Sequence, residues 1–377
     1  MDIHMKKANI KILFVMPNLH KGGAEKVMST IANNINKDIF DVTFVLLEKR
    51  GSYLDSLNKS IKLVDLNTIK VSKSVFALWK IIKKEKPNIV FSALSHLNLT
   101  LGIIKNFSSK KIKFIARETN IPSILNKTEK SQLIFNLLYR LIYRFFNKIV
   151  CQSQDMANDL IDNYNLKSEQ LLIINNPVDS KKILKQSKES LHTKLFPVDK
   201  FNYISIGSFE YRKGFDLLLL SWAKVNTANK HLTLIGEGSL KKDMQNQIKK
   251  LNLESSVTIL DFQSNPFIFL SQADVFILSS RFEGFPNILL ESLACGTPAI
   301  AFECLGGINE IIIDGKNGWL IEKENTIKLA EKINTFDKVK YSQNEMGEDI
   351  LNRYSIEKII SEYEKLFINL VKVKNEG

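Results

Sequence analysis

Two glutamates stand eight positions apart in Phe282-Glu283-Gly284-Phe285-Pro286-Asn287-Ile288-Leu289-Leu290-Glu291. The glycine and proline between them read as a loop that turns into a helix, with Glu283 in the loop and Glu291 in the helix. Pro286 suits the first helical position, where its missing N–H costs nothing. Backbone N–H groups around Gly284 and Phe285 would then hold an anion at the helix start. Carboxylates do not attract phosphate, but they accept hydrogen bonds from hydroxyls. A ligand carrying both hydroxyls and phosphate, such as a sugar nucleotide, matches that combination. The competing reading is a loop cap and a solvated helix face, which is the ordinary place for a glutamate.

The neighbours favour the first reading. Ser292 to Pro298 is a run of small and apolar residues, as in a tightly packed helix ending at Gly296. Val275–Leu278 before the site and Ala299–Phe302 after it read as buried strands, so the pair sits in a βαβ unit. Its loop lies at the carboxyl end of a parallel strand, where open α/β sheets bind ligands.

Three further strand ends of the same half carry glycine or charge. Ile206-Gly207-Ser208-Phe209-Glu210-Tyr211-Arg212-Lys213-Gly214 places two adjacent cations before a helix, where they can stabilise a leaving diphosphate. Gly236-Glu237-Gly238 and Cys304-Leu305-Gly306-Gly307 follow two other strands. In the first half, Gly22-Gly23 precedes a helix and lets backbone approach a ligand. That spacing is not G-x-G-x-x-G, which weakens any dinucleotide reading. Agreement among four strand ends of one domain says more than any one of them.

These loops need sheets to hold them. Apolar strand-like runs alternate with helical patterns along nearly the whole chain, which indicates parallel sheets with helices on both faces. In the first half the runs are Ile10–Val15, Val42–Leu46, Ile89–Ser92, Phe114–Ala116 and Lys148–Cys151. In the second they are Tyr203–Ile206, His231–Ile235, Val257–Leu260, Val275–Leu278, Ala299–Phe302 and Gly318–Ile321. The seam falls at Asn175-Asn176-Pro177-Val178-Asp179, and a final helix runs from Ile356 to Lys372. The expected fold is α/β, with two doubly wound, Rossmann-like domains.

The chain has 377 residues, 44% of them hydrophobic, and a formal charge of +13. Residues 1–175 carry 27 Lys and Arg against 14 Asp and Glu, whereas residues 176–377 carry 26 of each. All the excess belongs to the first half, and such a field favours an acidic partner. In Gln132 to Val150, Arg140, Arg144 and Lys148 recur every four residues beside a broad apolar face. This is either a core helix with a solvated basic stripe or a helix lying on an anionic membrane. The basic run Lys105 to Lys113 would extend that surface. Nucleic acid is not expected, because no recognisable binding motif accompanies the charge. No apolar run is long enough for a membrane span, and the apolar stretch Ile12 to Met16 reads as a strand rather than a signal peptide. Cys151, Cys295 and Cys304 are scattered, which indicates neither a disulfide framework nor zinc and fits a reducing cytosol.

Taken in order, Gly-Gly-Ala-Glu, Asn-Pro-Val-Asp, Arg-Lys-Gly, Gly-Glu-Gly, the Glu-x7-Glu segment and Gly-Gly-x-x-Glu resemble the retaining family-4 glycosyltransferases with the GT-B fold. The resemblance covers most of the chain, and the Glu-x7-Glu segment is its specific part. It implies two domains facing across a cleft: an acceptor-binding, membrane-facing domain over residues 1–178 and a donor-binding domain over 179–355. Residues 356–377 would pack back towards the first domain. By the resemblance, Glu291 binds the ribose hydroxyls of the donor, and Glu283 touches hydroxyls of the transferred sugar. Backbone at Gly284, Phe285, Pro286 and Asn287 holds phosphate or sugar, Lys213 with Arg212 neutralises the departing diphosphate, and Gly207 borders it. Gly22 and Gly23 face that diphosphate from the other domain. His96, Arg117 and Glu118 match positions near the reacting sugar.

Two positions depart from the family pattern. Ser208 stands where many members have arginine, and Asp261 replaces a frequent glycine. No Asp-x-Asp occurs, so no metal or other cofactor is expected, and cations with helix N-termini would neutralise the diphosphate instead. The resemblance implies front-face transfer without a covalent protein nucleophile. The expectation is a cytoplasmic enzyme, peripheral on the inner face of the membrane. It would move a sugar, first choice from a UDP-sugar, to a saccharide acceptor linked to a lipid diphosphate in bacterial surface polysaccharide or glycan assembly. The alternatives are a sugar-nucleotide epimerase of the same fold and a non-catalytic sugar-nucleotide-binding protein.

Overall fold

The computed structural model describes residues 10–20, 22–68, 71–125, 131–189, 196–336 and 343–372. Two compact units result, one ending at Pro177 and resuming at Ile356, the other running from Val178 to Ser355. Each is built on a parallel sheet.

The first sheet contains β1 (Ile10–Met16), β2 (Phe40–Leu46), β3 (Lys62–Asp65), β4 (Ile89–Ala93), β5 (Lys113–Arg117), β6 (Lys148–Cys151) and β7 (Leu171–Ile173), in the order β3-β2-β1-β4-β5-β6-β7. Its helices are α1 (Gly23–Asn34), α2 (Val75–Glu85), α3 (Ser95–Asn106), α4 (Pro122–Leu125), α5 (Gln132–Ile142) and α6 (Gln154–Tyr164). In β1 alternate residues enter opposite cores: Ile12, Phe14 and Met16 pack on one face of the sheet, Leu13 and Val15 on the other. A strand covered on both faces must be apolar throughout, which is why β1 reads as a continuous hydrophobic run. β3 and β7 were not legible in the sequence. They are short outer strands with few buried side chains, so neither produces such a run.

The second sheet contains β8 (Phe201–Ile206), β9 (Lys230–Ile235), β10 (Val257–Leu260), β11 (Val275–Leu278), β12 (Ala299–Phe302) and β13 (Gly318–Ile321), in the order β10-β9-β8-β11-β12-β13. With it come α7 (Ser180–Gln186), α8 (Phe215–Trp222), α9 (Lys241–Lys250), α10 (Phe267–Gln272), α11 (Asn287–Ala294), α12 (Ile308–Ile311), α13 (Thr326–Thr335) and α14 (Gln343–Tyr354). The last helix, α15 (Ile356–Lys372), belongs to the first unit. Its Ile359, Ile360, Tyr363, Leu366 and Phe367 form one buried stripe at helical spacing, and the Phe367 ring meets Phe91 at 5.5 Å and Phe40 at 6.0 Å.

Both sheets reverse strand order once, between β1 and β4 and between β8 and β11. The carboxyl ends of those strands are the usual ligand position of a doubly wound sheet. In the first unit they carry Gly22, Gly23 and His96. In the second they carry Gly207 to Gly214 and Ser279 to Glu283.

The helix expected from Gln132 to Val150 is shorter. α5 stops at Ile142, a 3-10 turn covers Tyr143–Phe145, and Lys148 opens β6. Arg140, Arg144 and Lys148 therefore do not share one helical face. α5 buries Tyr139 and Ile142 while Leu133, Ile134, Leu137 and Leu141 stay exposed, Leu133 at 84%. Among the described residues no helix is long and apolar enough to cross a membrane.

Candidate active site

The second unit gathers most of the residues singled out in the sequence. Glu283 follows β11, and its side chain is only 3% exposed. Its Oε2 accepts a hydrogen bond from Arg212 Nη1 at 2.8 Å. Its Oε1 accepts from Lys213 Nζ at 2.5 Å and from Ser280 Oγ at 2.6 Å. Burial alone would raise this carboxyl's pKa. The Lys213 and Arg212 charges, with the hydrogen bonds from Lys213 and Ser280, outweigh burial and hold it below the usual carboxylate value. Both cations expected to meet a diphosphate are thus paired with Glu283.

The loop after β8 is shaped to deliver those cations. Tyr211–Lys213 forms a single 3-10 turn ended by Gly214 at φ 63°. A Cβ on Gly214 would lie 2.0 Å from the Ser279 carbonyl oxygen, so only glycine fits. The Lys213 stem crosses Gly207, with Cδ and Cε 3.4 Å from where a Cβ there would stand. Three latches fix this turn to the loop after β11. Ser279 Oγ donates to the Lys213 carbonyl at 3.0 Å, Arg281 N donates to the Arg212 carbonyl at 2.8 Å, and Arg281 Nη1 donates to the Tyr211 carbonyl at 2.8 Å. The Arg281 guanidinium also holds Asp216 through two bonds, at 2.8 and 2.6 Å, and lies 4.0 Å from the Tyr211 ring centroid. Sequence reading missed Ser280, Arg281 and Asp216. The serine and arginine flank the glutamate motif, but apart from the Ser280–Glu283 bond their partners lie far off in the chain, at Tyr211, Asp216 and Glu324.

The loop after β12 supports Glu283 from another side. Glu283 N donates to the Leu305 carbonyl at 2.9 Å. Gly306, at φ 123°, packs so closely that a Cβ would stand 2.3 Å from the Glu283 carbonyl oxygen. Gly306→Ala is therefore expected to displace the Glu283 backbone, lowering turnover at least tenfold (about 1.4 kcal/mol of barrier) and lowering Tm. Steady-state kinetics beside thermal unfolding check this, and unchanged turnover would contradict it.

α11 begins at Asn287 with Pro286 as its cap, one position earlier in role than the sequence indicates. The Pro286 carbonyl accepts from Leu289 N at 3.1 Å and Leu290 N at 3.3 Å, so the proline still opens the helix. Glu291 projects from α11 and is buried, as are Gly284, Phe285 and Pro286, while Asn287 is half-buried. Phe285 packs edge-on against Tyr354, ring centroids 5.7 Å apart. Ser208 is a surface residue whose Oγ donates to Glu210 at 3.2 Å. Asp261 is exposed and paired with Lys241.

The first unit places its residues differently from expectation. Gly22 caps α1 and Gly23 is its first residue, yet Glu25 folds back beside them: a Cβ on Gly22 would lie 2.0 Å from Glu25 Oε2. The space expected to admit a diphosphate beside Gly22 holds a carboxylate, whose pKa burial raises against its own backbone hydrogen bond and His20. His96, in the first turn of α3, is exposed and meets Phe135 edge-on at 5.1 Å.

Arg117 and Glu118 are wholly buried. Adjacent residues at a strand end point to opposite faces, so these two charges do not pair. Arg117 donates from Nε to Tyr363 Oη at 3.2 Å and from Nη2 to Asn176, and its Nη1 has no hydrogen-bond partner among the described residues. On the other face Glu118 Oε1 accepts from Tyr143 Oη and from Asn98 Nδ2, the latter at 3.2 Å, while Oε2 has no hydrogen-bond partner among the described residues. Burial raises the Glu118 carboxyl to about 7 despite those bonds.

A buried carboxylate paired with two cations thus follows β11, beside the switch point of the six-stranded parallel sheet, and the first unit carries a seven-stranded parallel sheet. Residues 21–182 match the family model "Glycosyltransferase Family 4" and residues 186–353 match "Glycosyl transferases group 1". The chain belongs to the family-4 glycosyltransferases, with the GT-B fold. It is 27% identical over 327 residues to the Campylobacter jejuni N-acetylgalactosamine-N,N'-diacetylbacillosaminyl-diphospho-undecaprenol 4-alpha-N-acetylgalactosaminyltransferase, covering 84% of this chain and 87% of that one. It is 23% identical to the amylovoran biosynthesis glycosyltransferase AmsD of Erwinia amylovora, over 86% of this chain and 89% of the relative. The crystal structure of Anabaena HepE in complex with UDP superposes with a TM-score of 0.80 at 19% identity, covering 96% of this chain and all (100%) of the other. The protein is a glycosyltransferase of polysaccharide or glycan biosynthesis.

Proposed function

We propose that the protein transfers a sugar, with retention of anomeric configuration, from a nucleoside-diphosphate donor to a saccharide carried on a lipid diphosphate. The observation that carries the reading is the Glu283 carboxylate held by Lys213 and Arg212. A donor diphosphate brought to that pair gives the two cations a second anion to neutralise, and the freed carboxylate oxygens can accept hydrogen bonds from the transferred sugar. Glu291, one helical segment on, is assigned the ribose hydroxyls. Arg212 reaches Glu283 from within the 3-10 turn, so it is assigned the charge that many relatives carry at the Ser208 position. As the bond to the leaving phosphate breaks, the diphosphate gains charge, and Lys213 and Arg212 stabilise it. A phosphate oxygen takes the proton of the incoming acceptor hydroxyl, so the mechanism asks for no protein nucleophile.

The Campylobacter relative's name supports an acceptor on a polyprenyl diphosphate and an N-acetylhexosamine as the sugar. The UDP bound by HepE makes UDP-sugars the first donors to try. The exposed leucines of α5 beside Arg140 and Arg144, on a unit with all the net positive charge, support work at the cytoplasmic face of an anionic membrane. No metal is assigned a step.

A panel of nucleotide sugars scored by thermal stabilisation tests the donor. A ligand at 100 times its Kd is expected to add about 2.7 kcal/mol. UDP-sugars should raise Tm, and turnover with the best of them should be the same in EDTA as in magnesium. A panel without effect on Tm would overturn the donor assignment. Turnover lost in EDTA and restored by magnesium would overturn the metal-free reading.

A further inference from the structure

The basic excess of the first unit has a concave focus. A cavity of about 630 Å³ opens where α2 and α3 end and β4 and β5 begin, at the opposite end of the strands from Gly22 and His96. Trp79, Ile82 and Phe107 give it an apolar wall, and Lys83, Lys86, Lys111 and Lys113 also line it. No acidic residue is among its lining. Glu85, next to Lys86 in the chain, is taken by Lys62 at 2.8 Å and Lys11 at 3.7 Å. An occupant must therefore be anionic, and it must also tolerate an apolar wall.

The surroundings say which kind. Phe107 is 75% exposed and Phe76 61%, both beside the lysines rather than in the core. Phe76 stacks on Trp79 at 6.0 Å, while the Lys80 ammonium lies 4.4 Å from the Phe76 ring centroid and Lys83 5.0 Å from that of Trp79. Exposed aromatic rings interleaved with lysine make the composition of a membrane-interface belt. The exposed leucines of α5 lie in the same helical layer, since α3 and α5 pack together through His96 and Phe135. A free phosphate ester would satisfy the lysines alone and leave the aromatic rim unexplained.

We propose that this cavity binds the headgroup of an anionic phospholipid, its phosphate on the lysines and its glycerol and first methylenes against Trp79 and Ile82. The proposal rests on the reading that the protein works at a membrane surface. It adds an anchoring site separate from the residues assigned to sugar transfer.

The test is vesicle sedimentation with phosphatidylglycerol-containing and purely phosphatidylcholine vesicles. The wild type, Lys83→Gln/Lys111→Gln and the off-cavity control Lys59→Gln/Lys167→Gln are compared. Each lysine near an anionic surface strengthens binding about fivefold, so the cavity pair should lower the partition coefficient about 30-fold. The control should stay within about twofold of wild type. Trp79 fluorescence should be quenched by brominated phosphatidylglycerol, and Trp79→Phe should abolish that quenching. Equal losses in both double variants, or unquenched Trp79, would overturn the cavity while leaving membrane binding intact. Saturation of the Trp79 signal by glycerol phosphate without vesicles would replace the lipid with a soluble anion. A wild type that ignores anionic vesicles would overturn the membrane reading itself, and sugar transfer would still stand or fall on its own assay.

Discussion

Lys213→Ala is expected to lower kcat/KM for sugar transfer by about 10²–10³-fold, the cost of removing one charge that faces a developing anion in a buried site. Arg212→Ala should cost about tenfold, because its side chain is 29% exposed against 12% for Lys213 and water can take over part of its work. Of the two cations, Lys213 also does more to hold Glu283 ionised against burial. Its loss leaves a buried carboxylate short of charge, which destabilises the second unit by about 3 kcal/mol. Low activity could then reflect a poorly folded protein, so Lys213→Ala/Glu283→Gln is the companion variant. Removing both charges should restore much of the stability and none of the turnover. A double-mutant cycle on unfolding and on kcat/KM reads both quantities, and independent, additive effects would contradict the pairing.

Raising pH from 5 to 7.5 is expected to destabilise the first unit by about 2.4 kcal/mol through Glu118 alone, most of the energy of moving its carboxyl from an ordinary 4.5 to about 7 at 1.36 kcal/mol per unit. The sign follows from proton counts. Between those two values the unfolded chain has released the Glu118 proton while the folded chain keeps it, so stability is complete below about 4.5 and lost as pH rises through about 7. Glu118→Gln should flatten that part of the stability profile and leave the rest of it in place. Urea unfolding of both proteins across the range checks it, and parallel profiles would contradict it. Glu283 has the opposite sign. Its lowered pKa contributes stability above the ordinary carboxylate range, and that stability is lost as pH falls through its folded value.

These two buried carboxyls show where the sequence stops being informative. Each glutamate follows a strand and stands among polar residues, so each looks like a group aimed at substrate. What separates them is the company that folding brings. Glu283 receives two cations from a loop 70 positions earlier, whereas Glu118 receives a tyrosine, an asparagine and no cation. No spacing rule encodes either set. The strands that carry the site were legible because both faces of each sheet are covered and apolar runs are then unavoidable. An outer strand such as Lys62–Asp65 escapes that rule, because it lies at the rim of the sheet and none of its four side chains is fully buried. The segment from Gln132 to Val150 read as one helix because its apolar period continues past Ile142. The chain nevertheless turns at Tyr143 and enters the sheet at Lys148, since Ile149 and Val150 fill opposite faces of β6. Gly22 and Gly23 suit a close backbone approach to a ligand, but the sequence does not show that the Glu25 side chain folds back beside Gly22.

The most direct measurement is transfer of a labelled sugar from each nucleotide sugar to a polyprenyl-diphosphate-linked saccharide, by wild type and by Lys213→Ala, with the anomeric configuration of the product read by NMR. One donor class is expected to give an α-linked product from an α-linked donor, at a rate at least 100-fold above that of Lys213→Ala (about 2.7 kcal/mol of barrier). Equal rates for the two proteins, an inverted product, or donors that stabilise the protein without any transfer would contradict it.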